Sequence, residues 1–321
     1  MSIRDLSVDE LVARAVESDR RAVGRLLSIV ERGGDAADRL AECLQQVPTD
    51  GHVIGITGSP GAGKSTMVAH LVAAFTAAGR TPAVLAVDPS SPLTGGAILG
   101  DRVRMAAVDT TAFIRSVATR GHAGGLALAI PGGARVLAAA GFDPVIIETV
   151  GVGQVEVDVT AAADTTVVVV APGMGDAVQA NKAGLLEVAD IFVVNKADLP
   201  GANDARRDLE LMLELSHVTG QEDASHRPPI VMVNSLDGDG IEAVHEAVDA
   251  HHAHLIDSGK LADRRRTRIR YELRSRAELA FHLFLEAKLG DDDTESTIDA
   301  ILAGDITPSS AARSLWQPGG A

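Results

Sequence analysis

The sequence contains very little cysteine and few aromatic residues. Cys43 is the single cysteine among 321 residues, which excludes an intrachain disulfide and a cysteine-based zinc cluster. A lone thiol is typical of a protein in the reducing cytosol, so a cytoplasmic location is expected. Aromatic residues make up only 2% of the chain, so the core should consist mainly of Ala, Val, Leu and Ile. The hydrophobic fraction of 46% is still ordinary for a packed fold.

Positive charge and long apolar runs are also scarce. The formal net charge is −15, which argues against nucleic acid as the main partner because phosphate backbones bind positive surfaces. One small anion at a local positive site remains compatible with this charge. No apolar run reaches the length of a membrane helix, and the opening MSIRDLSVDELVARA resembles neither a signal peptide nor a transit peptide. We therefore expect no membrane contact and no leader.

The first residues have the pattern of helices. Ser7 and Glu10 have the spacing of a capping box, in which each side chain satisfies a free amide at a helix start. Apolar residues then recur on one helical face. The glycine pair at 33–34 interrupts this pattern, and a second amphipathic stretch ends before Pro48. The sequence therefore predicts an N-terminal helical extension over residues 1–50.

From residue 51 the pattern changes to apolar runs of strand length separated by helix-length segments. The runs are rich in β-branched residues and nearly continuous, as in strands that are covered on both faces. Alternation of strands and helices predicts an α/β fold with a mostly parallel sheet. The predicted strands are 52–57, 82–87, 144–150, 165–171, 190–195 and 229–234. This domain is expected to span residues 51–256.

The C-terminal part has a different composition. Residues 260–289 are rich in Arg, Leu, Ala and Glu, which predicts a long helix with little core of its own. Residues 291–296, DDDTES, are interpreted as a solvated link before a short helical tail. We expect residues 257–321 to form a helical arm that makes a homodimer.

A phosphate-binding motif follows the first predicted strand. It reads G-x-x-x-x-G-K-S, the P-loop, between a strand and a helix as that motif requires. Backbone amides and the helix N-terminus would surround the phosphates, Lys64 would reach the β- and γ-phosphates, and the Ser65 hydroxyl would bind Mg²⁺. The predicted nucleotide-binding residues here are Gly58, Ser59, Pro60, Gly61, Ala62, Gly63, Lys64, Ser65 and Thr66.

A second carboxylate ends another predicted strand. The stretch DPVIIETVGVGQ at 143–154 places Glu148 after an apolar run and Gly151 in the turn that follows. A P-loop protein needs a carboxylate near its Mg²⁺ at a strand end, and a glycine amide can approach a γ-phosphate without a clashing Cβ. Small GTPases have Asp rather than Glu at this position. The alternative interpretation is a solvated strand end followed by a tight turn.

A base-reading motif ends a later strand. Asn195, Lys196 and Asp198 form N-K-x-D, the guanine reader of G proteins. The Asp198 carboxylate would accept hydrogen bonds from the ring N–H and the exocyclic amine of guanine, which adenine does not offer in that arrangement. Ser235 and Leu236, after the next strand, stand where G proteins place a loop whose backbone contacts the guanine oxygen. Leu236 replaces the Ala expected there.

Together these segments closely resemble one group, the MeaB/ArgK/MMAA family, GTPase chaperones of adenosylcobalamin-dependent methylmalonyl-CoA mutase. The resemblance is dense from about residue 50 to residue 250. It is carried by the segments GSPGAGKST, VDPSSPLTGGAILGDRVRM, RSVATRGHAGGLA, ETVGVGQ and NKAD. It implies a Mg²⁺-dependent enzyme that hydrolyses GTP slowly to GDP and controls cofactor loading and protection of the mutase, its partner.

The resemblance also implies roles for residues outside the two nucleotide motifs. Asp88 and Asp101 would join Ser65 and Glu148 around Mg²⁺, and the resulting catalytic set would be Lys64, Asp88, Asp101, Glu148 and Gly151. The segment 175–190 matches an additional switch of the family, with Gln179 and Lys182 at its responsive positions. An ordinary crossover helix is the alternative for this segment.

Other functions remain open at the level of sequence. A nickel-delivery GTPase would need a Cys/His cluster, which a single cysteine disfavours. A kinase of a transport protein would use ATP, which the guanine reader disfavours. A nucleotide-dependent scaffold without hydrolysis is compatible with the same motifs. The histidines at 245, 251, 252 and 254 are interpreted as a solvated helix face rather than a metal site.

Overall fold

The computed structural model describes residues 3–88, 112–118, 125–149, 159–173, 188–219, 227–289 and 292–314. The chain forms two compact units, Met1–Glu272 and Leu273–Ala321. The first contains the sheet and both nucleotide motifs. The second begins inside the long C-terminal helix. The domain boundaries predicted from the sequence stay predictions.

A seven-stranded sheet forms the centre of the first unit. Every pair of neighbouring strands is parallel, in the order β3-β2-β4-β1-β5-β6-β7. The strands are β1 Val53–Gly58, β2 Ala83–Asp88, β3 Phe113–Ala118, β4 Val145–Thr149, β5 Thr165–Val170, β6 Ile191–Asn195 and β7 Ile230–Val233. The predicted α/β fold with a parallel sheet is confirmed. In this order β1 lies between β4 and β5, so the P-loop after β1 emerges beside the ends of both neighbours.

The sequence predicted six of these strands and missed β3. This strand forms an edge of the sheet and pairs only with β2 among the described strands. Its middle carries Arg115, whose guanidinium bonds the Glu31 carboxylate at 3.1 and 3.2 Å. A half-buried edge strand needs no continuous apolar run, so the pattern that revealed the central strands was absent here.

Helices cover both faces of the sheet. In chain order they are α1 Val8–Val16, α2 Arg20–Arg32, α3 Asp35–Gln45, α4 Lys64–Ala77, α5 Gly125–Ala139, α6 Ala202–Thr219, α7 Ile241–Asp257, α8 Lys260–Leu289, α9 Asp292–Ala303 and α10 Pro308–Ser314. One apolar cluster joins α1, α2, α3 and α5 to β1–β4. A second joins α4 and α7 to the opposite face, and a third joins α6 to β5 and β6. The N-terminal helices are therefore one layer of the core.

The N-terminal helices start as their capping residues require. The predicted capping box at Ser7 and Glu10 is present, with the Ser7 amide donating to the Glu10 carboxylate at 2.8 Å. A helix break at Ser18, which has a φ of 65°, was missed because Ser18 is an uncommon residue for that conformation. Asp19 then caps α2 by accepting from the Arg21 amide at 2.9 Å.

The C-terminal helices agree with the sequence in one part and not in another. The long helix predicted at 260–289 is confirmed as α8. The solvated link predicted at 291–296 is wrong, because α9 begins at Asp292. Acidic residues in a first turn interact favourably with the positive end of a helix. The DDDTES run therefore favours a helix start rather than a loop.

The histidines of α7 are also placed differently from the prediction. His245 and His251 are buried rather than solvated. His245 lies 3.2 Å from the Asp249 carboxylate, and His251 contacts Asp190 and Thr165. The sequence pattern missed the burial of His251 because its partners, Asp190 and Thr165, come from other elements. Within the described ranges, no group of three or more His, Cys, Asp or Glu side chains is arranged to hold a metal ion.

Candidate active site

The P-loop connects the end of β1 to the start of α4. Gly58 has a φ of 132°, and a Cβ there would lie 2.0 Å from the Val169 carbonyl oxygen. Gly63 has a φ of 92°, and a Cβ there would lie 2.3 Å from Nδ2 of Asn195. Glycine is therefore required at both positions, because any side chain would be strained and would clash. The loop amides can then turn toward a bound phosphate chain.

Lys64 lies inside this loop. Its ammonium donates to the Gly58 carbonyl at 2.6 Å and to the Ser59 carbonyl at 3.2 Å, and the residue is buried. The first turn of α4 follows directly. A buried cation and a helix N-terminus at the same place favour an anion between them. This geometry supports the prediction of a phosphate-binding loop here.

Ser65 and Glu148 meet across the strand ends. The Ser65 hydroxyl donates to Oε1 of Glu148 at 2.5 Å, and Glu148 is fully buried. In the sheet, Glu148 is in register with Ile56 of β1 and Ala86 of β2. Glu148 is therefore no solvated strand end, and that alternative is wrong. Thr149 is also buried, with its hydroxyl 3.4 Å from the Ile56 carbonyl oxygen.

The other predicted metal and switch residues are described only in part. Asp88 is the last residue of β2, and the residue before it, Val87, is in register with Thr149 of β4. The backbone of Asp88 therefore lies at the same edge of the sheet as Glu148. The predictions for Asp101, Gly151, Gln179 and Lys182 fall outside the described residues.

The paired oxygens near the P-loop suit a magnesium ion. The Ser65 hydroxyl and the Glu148 carboxylate are hard oxygen donors, 2.5 Å apart at the start of α4. Mg²⁺ prefers one or two such ligands and completes its shell with water and substrate phosphates. A site with few protein ligands is therefore what a nucleotide-bound Mg²⁺ needs. The residues present fit this ion.

The base motif is tied directly to the P-loop. Nδ2 of Asn195 donates to the Ala62 carbonyl at 2.7 Å, while Oδ1 accepts from the Ser235 amide at 3.1 Å and from its hydroxyl at 2.8 Å. Lys196 has a φ of 58°, and its ammonium donates to the Gly61 carbonyl at 2.8 Å. These bonds join three loops at one edge of the sheet. The sequence predicted all of these residues, and the structure brings them together.

These loops enclose a cleft beside the P-loop. It is lined by Gly63, Thr66, Asn195, Lys196, Asp198, Leu199, Asn234, Ser235 and Leu236. Leu236 is 78% exposed and Leu199 is 45% exposed, so apolar surface is available at the cleft. Such surface can pack on the flat face of a base. Sequence reasoning missed Leu199, although it is adjacent to the predicted Asp198.

Asn234 shapes the loop that carries Leu236. Its Oδ1 accepts from the Leu236 amide at 3.1 Å, and its Nδ2 donates to the Asp237 carboxylate at 2.7 Å. This is the local bonding by which asparagine stabilises a turn. The side chain therefore holds the turn beside Asp198 in one conformation.

In the described helices, no segment is both long and apolar enough to cross a bilayer.

Known proteins share both the motifs and the architecture. Residues 23–287 match the family described as Methylmalonyl Co-A mutase-associated GTPase MeaB. A protein of Pyrococcus horikoshii that is named as a GTPase is 44% identical over 307 residues, 95% of this chain and 96% of that one. The GTPase ArgK of Escherichia coli is 32% identical over 321 residues, 98% of this chain and 97% of that one.

A solved structure supports the same relationship. The crystal structure of a LAO/AO transport system kinase superposes with a TM-score of 0.71 at 25% identity, covering 96% of each chain. The likeness therefore extends over both the nucleotide motifs and the helices at either end. The P-loop, the buried Ser65–Glu148 pair and the base motif lie within the matched region. This chain belongs to the MeaB family of P-loop GTPases.

Proposed function

We propose that this GTPase uses a Mg²⁺-dependent cycle of GTP binding and hydrolysis to control cofactor loading and protection of an adenosylcobalamin-dependent methylmalonyl-CoA mutase. The family is described as associated with that enzyme, and this membership is the observation that carries the proposal. The connected loops support it, because Asn195 joins the P-loop to the base loop. A change at the phosphates can thus reach the base loop.

Phosphate binding is assigned to the P-loop. The Lys64 ammonium is held inside the P-loop by its bonds to the Gly58 and Ser59 carbonyls. When GTP enters the loop, the ammonium would exchange these bonds for bonds to phosphate oxygens. The loop amides and the N-terminus of α4 would stabilise the charge that develops as water attacks the γ-phosphate. Positioning and electrostatics supply the catalysis, because this transfer needs little covalent help from the protein.

Magnesium is assigned to Ser65 and Glu148. Ser65 would be a direct ligand, and Glu148, with Asp88 and Asp101, would hold the ion directly or through water. When bound, Mg²⁺ would supply positive charge that neutralises the phosphates during hydrolysis. The buried position of Glu148 keeps its carboxylate in one place, bonded to the Ser65 hydroxyl. In this proposal the pair is preorganised for the ion.

Guanine selection is assigned to Asp198 and the cleft around it. The exposed carboxylate of Asp198 would accept from two guanine N–H groups, with the Lys196 stem and Leu236 against the faces of the base. Lys196 is positioned by its bond to the Gly61 carbonyl. The loop that reads the base is therefore anchored to the loop that binds the phosphates. A cytoplasmic location also remains part of the proposal.

A homodimer formed through the C-terminal helices is part of the proposal. Large apolar side chains are exposed along α8 and α9, which an interface between two copies would cover. They include Leu273, Leu283, Phe284, Leu289, Ile298 and Leu302. In a two-fold dimer the same face is used on both copies. The composition of residues 260–289, rich in Arg, Leu, Ala and Glu with little core of its own, led to the same expectation.

Charged substitutions on this face should separate the dimer. Replacing Leu283 and Phe284, which are 54% and 46% exposed, by Glu should weaken association about tenfold or more per residue. An interface can bury only the exposed half of each side chain, which is about 0.8–1.5 kcal/mol, but in a two-fold dimer this loss occurs on both copies. Light scattering over a concentration series measures this. Leu215→Glu is the matched control, since Leu215 is an exposed leucine on α6 that is 68% accessible. A double variant that stays dimeric would place the interface elsewhere.

The mutase should accelerate GTP hydrolysis. A P-loop GTPase without an arginine finger of its own hydrolyses slowly until a partner completes its catalytic site. We expect methylmalonyl-CoA mutase to raise the steady-state turnover of this protein about tenfold or more. Lys182→Ala should reduce this acceleration and leave basal turnover nearly intact, because Lys182 belongs to the proposed switch segment.

Two results would separate the parts of this proposal. If the mutase leaves wild-type turnover unchanged, the chaperone function is wrong while the GTPase assignment stands. If Lys182→Ala is accelerated normally, only the switch assignment fails. Arg207→Ala is a suitable control, because Arg207 is an exposed cation on α6. It should respond to the mutase as the wild type does.

A further inference from the structure

A buried polar junction lies at the amino ends of β1, β5 and β6, at the opposite end of the sheet from the P-loop. Asp164 precedes β5 and Asp190 precedes β6, and both are buried. The Asp164 carboxylate accepts from the Val53 amide at 3.0 Å, and the Asp190 carboxylate accepts from the Thr166 amide at 2.8 Å. Two negative charges are thus fixed where three strands begin.

Arginines of α8 neutralise these charges. Arg264 donates to both oxygens of the Asp190 carboxylate, at 2.7 Å for Oδ2, and to the Asp164 carbonyl at 2.8 Å. Arg268 donates to Oδ1 of Asp164 at 3.3 Å and to the Ala162 carbonyl at 3.1 Å. Within the described residues, the three apolar clusters include no side chain of α8. Ionic and hydrogen bonds, rather than apolar packing, therefore hold its first turns to the sheet.

A chain of hydrogen bonds connects this ion pair to His52. The Asp190 carboxylate lies 3.3 Å from Nε2 of His251, whose Nδ1 is 2.8 Å from the Thr165 hydroxyl. The same hydroxyl lies 2.8 Å from Nε2 of His52. We place the hydrogen of the His251 ring on Nε2, which faces the Asp190 carboxylate, so the Thr165 hydroxyl donates to Nδ1. His52 must then donate to Thr165 from Nε2.

This arrangement leaves one place for a further proton on His52. Nδ1 of His52 is buried and has no hydrogen-bond partner among the described residues. The ring stacks on His252 with centroids 3.9 Å apart and an angle of 4° between the planes. A proton on Nδ1 would therefore create a buried, unbonded donor and a positive charge against a second imidazole. Both changes are costly in a desolvated site.

We propose that this junction is an acid-sensitive latch on α8, in which proton uptake by the stacked His52–His252 pair releases residues 260–272 from the amino end of the sheet. Release would expose the pair to water, where its protonated form is stable. The start of α8 is the element that yields because its side chains are absent from the apolar clusters described above. The same helix continues into the second unit.

The charges around the pair set the direction of the pH dependence. Burial first, and then the neighbouring His252, Arg80 and His251, keep the pKa of His52 well below 6.5. Burial also lowers the pKa of His252, an effect that Asp164 and Asp143 oppose and Arg80 and Arg265 reinforce. Arg264, Arg268 and Asp190 complete the surroundings and neutralise one another in part. Asp249 belongs to the same surroundings, since it pairs with Arg80 at 2.8 Å.

A depressed histidine pKa makes the closed state lose stability as pH falls. Above the solvent-exposed pKa of 6.5 both states carry neutral rings, so the latch is fully closed there. Below pH 6.5, the open state binds more protons than the closed state. The equilibrium constant for opening therefore rises as pH falls, by up to about tenfold per pH unit for each histidine released. The latch should therefore open between pH 6.5 and the lower pKa of the folded state.

Hydrogen exchange of the full-length protein tests the latch. Protection factors, corrected for the intrinsic pH dependence of exchange, are measured for amides of residues 260–272 and of β4 at about pH 7.5 and about pH 5.5. We expect protection of residues 260–272 to fall about tenfold or more while β4 stays protected. His52→Gln keeps a hydrogen-bond donor toward the Thr165 hydroxyl but has no group that takes up a proton in this pH range. In this variant the loss of protection of residues 260–272 between the two pH values should therefore be small. His282→Gln, an exposed histidine on α8, should behave as the wild type.

The remaining outcomes decide against the latch. Protection of residues 260–272 that does not change with pH would overturn it, as would a parallel loss in β4, which means global unfolding. If His52→Gln does not fold, Arg264→Met tests the proposal instead, because it removes the ion pair between α8 and Asp190. It should leave residues 260–272 unprotected at both pH values with β4 protected. Wild-type protection in Arg264→Met would refute the proposal.

Discussion

Asp198→Asn is expected to weaken GTP binding about a hundredfold or more and to favour xanthosine triphosphate. The carboxylate would accept two hydrogen bonds from guanine, whereas the amide presents a donor to one of them. A site built to hydrogen-bond an N–H group binds a ligand that cannot form this bond 10⁴-fold more weakly or worse. The expected loss is smaller here because the asparagine oxygen can still accept one of the two hydrogen bonds. Xanthine has a carbonyl where guanine has its amine, so the new donor finds a partner. Calorimetry with both nucleotides measures the change.

The position of Asp198 supports a local effect. It is exposed and lines the cleft beside Lys196 and Ser235, so the substitution alters the site without disturbing the core. Asp204→Asn is the matched control, because Asp204 is an exposed aspartate in the first turn of α6. It should leave both affinities unchanged. Equal affinities of the wild type for ATP and GTP would contradict the guanine assignment itself.

Glu148→Ala should lower kcat about a hundredfold and change the Kd for GDP by less than about threefold. Removing one preorganised electrostatic group near a developing charge costs 10²–10³ in rate. Glu148 is fully buried and bonded to the Ser65 hydroxyl at 2.5 Å, so solvent cannot replace it easily. In our proposal its role lies at the γ-phosphate end, which GDP lacks. Single-turnover hydrolysis and GDP titration give the two quantities.

Controls for this prediction separate catalysis from stability. Glu148→Gln keeps the size and an oxygen acceptor, so it preserves packing while it removes the charge, and its kcat should also fall. Glu31→Gln changes a partly buried glutamate that pairs with Arg115 in the N-terminal layer, and its turnover should match the wild type. Wild-type turnover in Glu148→Ala would show that the buried carboxylate serves the fold rather than the reaction.

Short-range chemistry in the sequence predicted much of the fold and the nucleotide motifs. Six strands were visible because parallel strands covered on both faces are continuously apolar. The P-loop was visible because its glycines, Lys64 and Ser65 are adjacent in the chain. The capping box at Ser7 and Glu10 is a contact between residues three apart. In each case the interacting groups lie within one element or one turn, where spacing alone specifies them.

Tertiary structure decided the features that depend on contacts between distant residues. The sequence left Glu148 open between a solvated strand end and a buried ligand, and the sheet decided this by placing β4 between β1 and β2. The edge strand β3 had no continuous apolar run, and Arg115 is satisfied by Glu31, 84 residues away. The histidines of α7 looked solvated, yet His251 is buried against Asp190. Burial of a polar group is stable only when its partners are assembled, and these partners come from elements that only folding brings together.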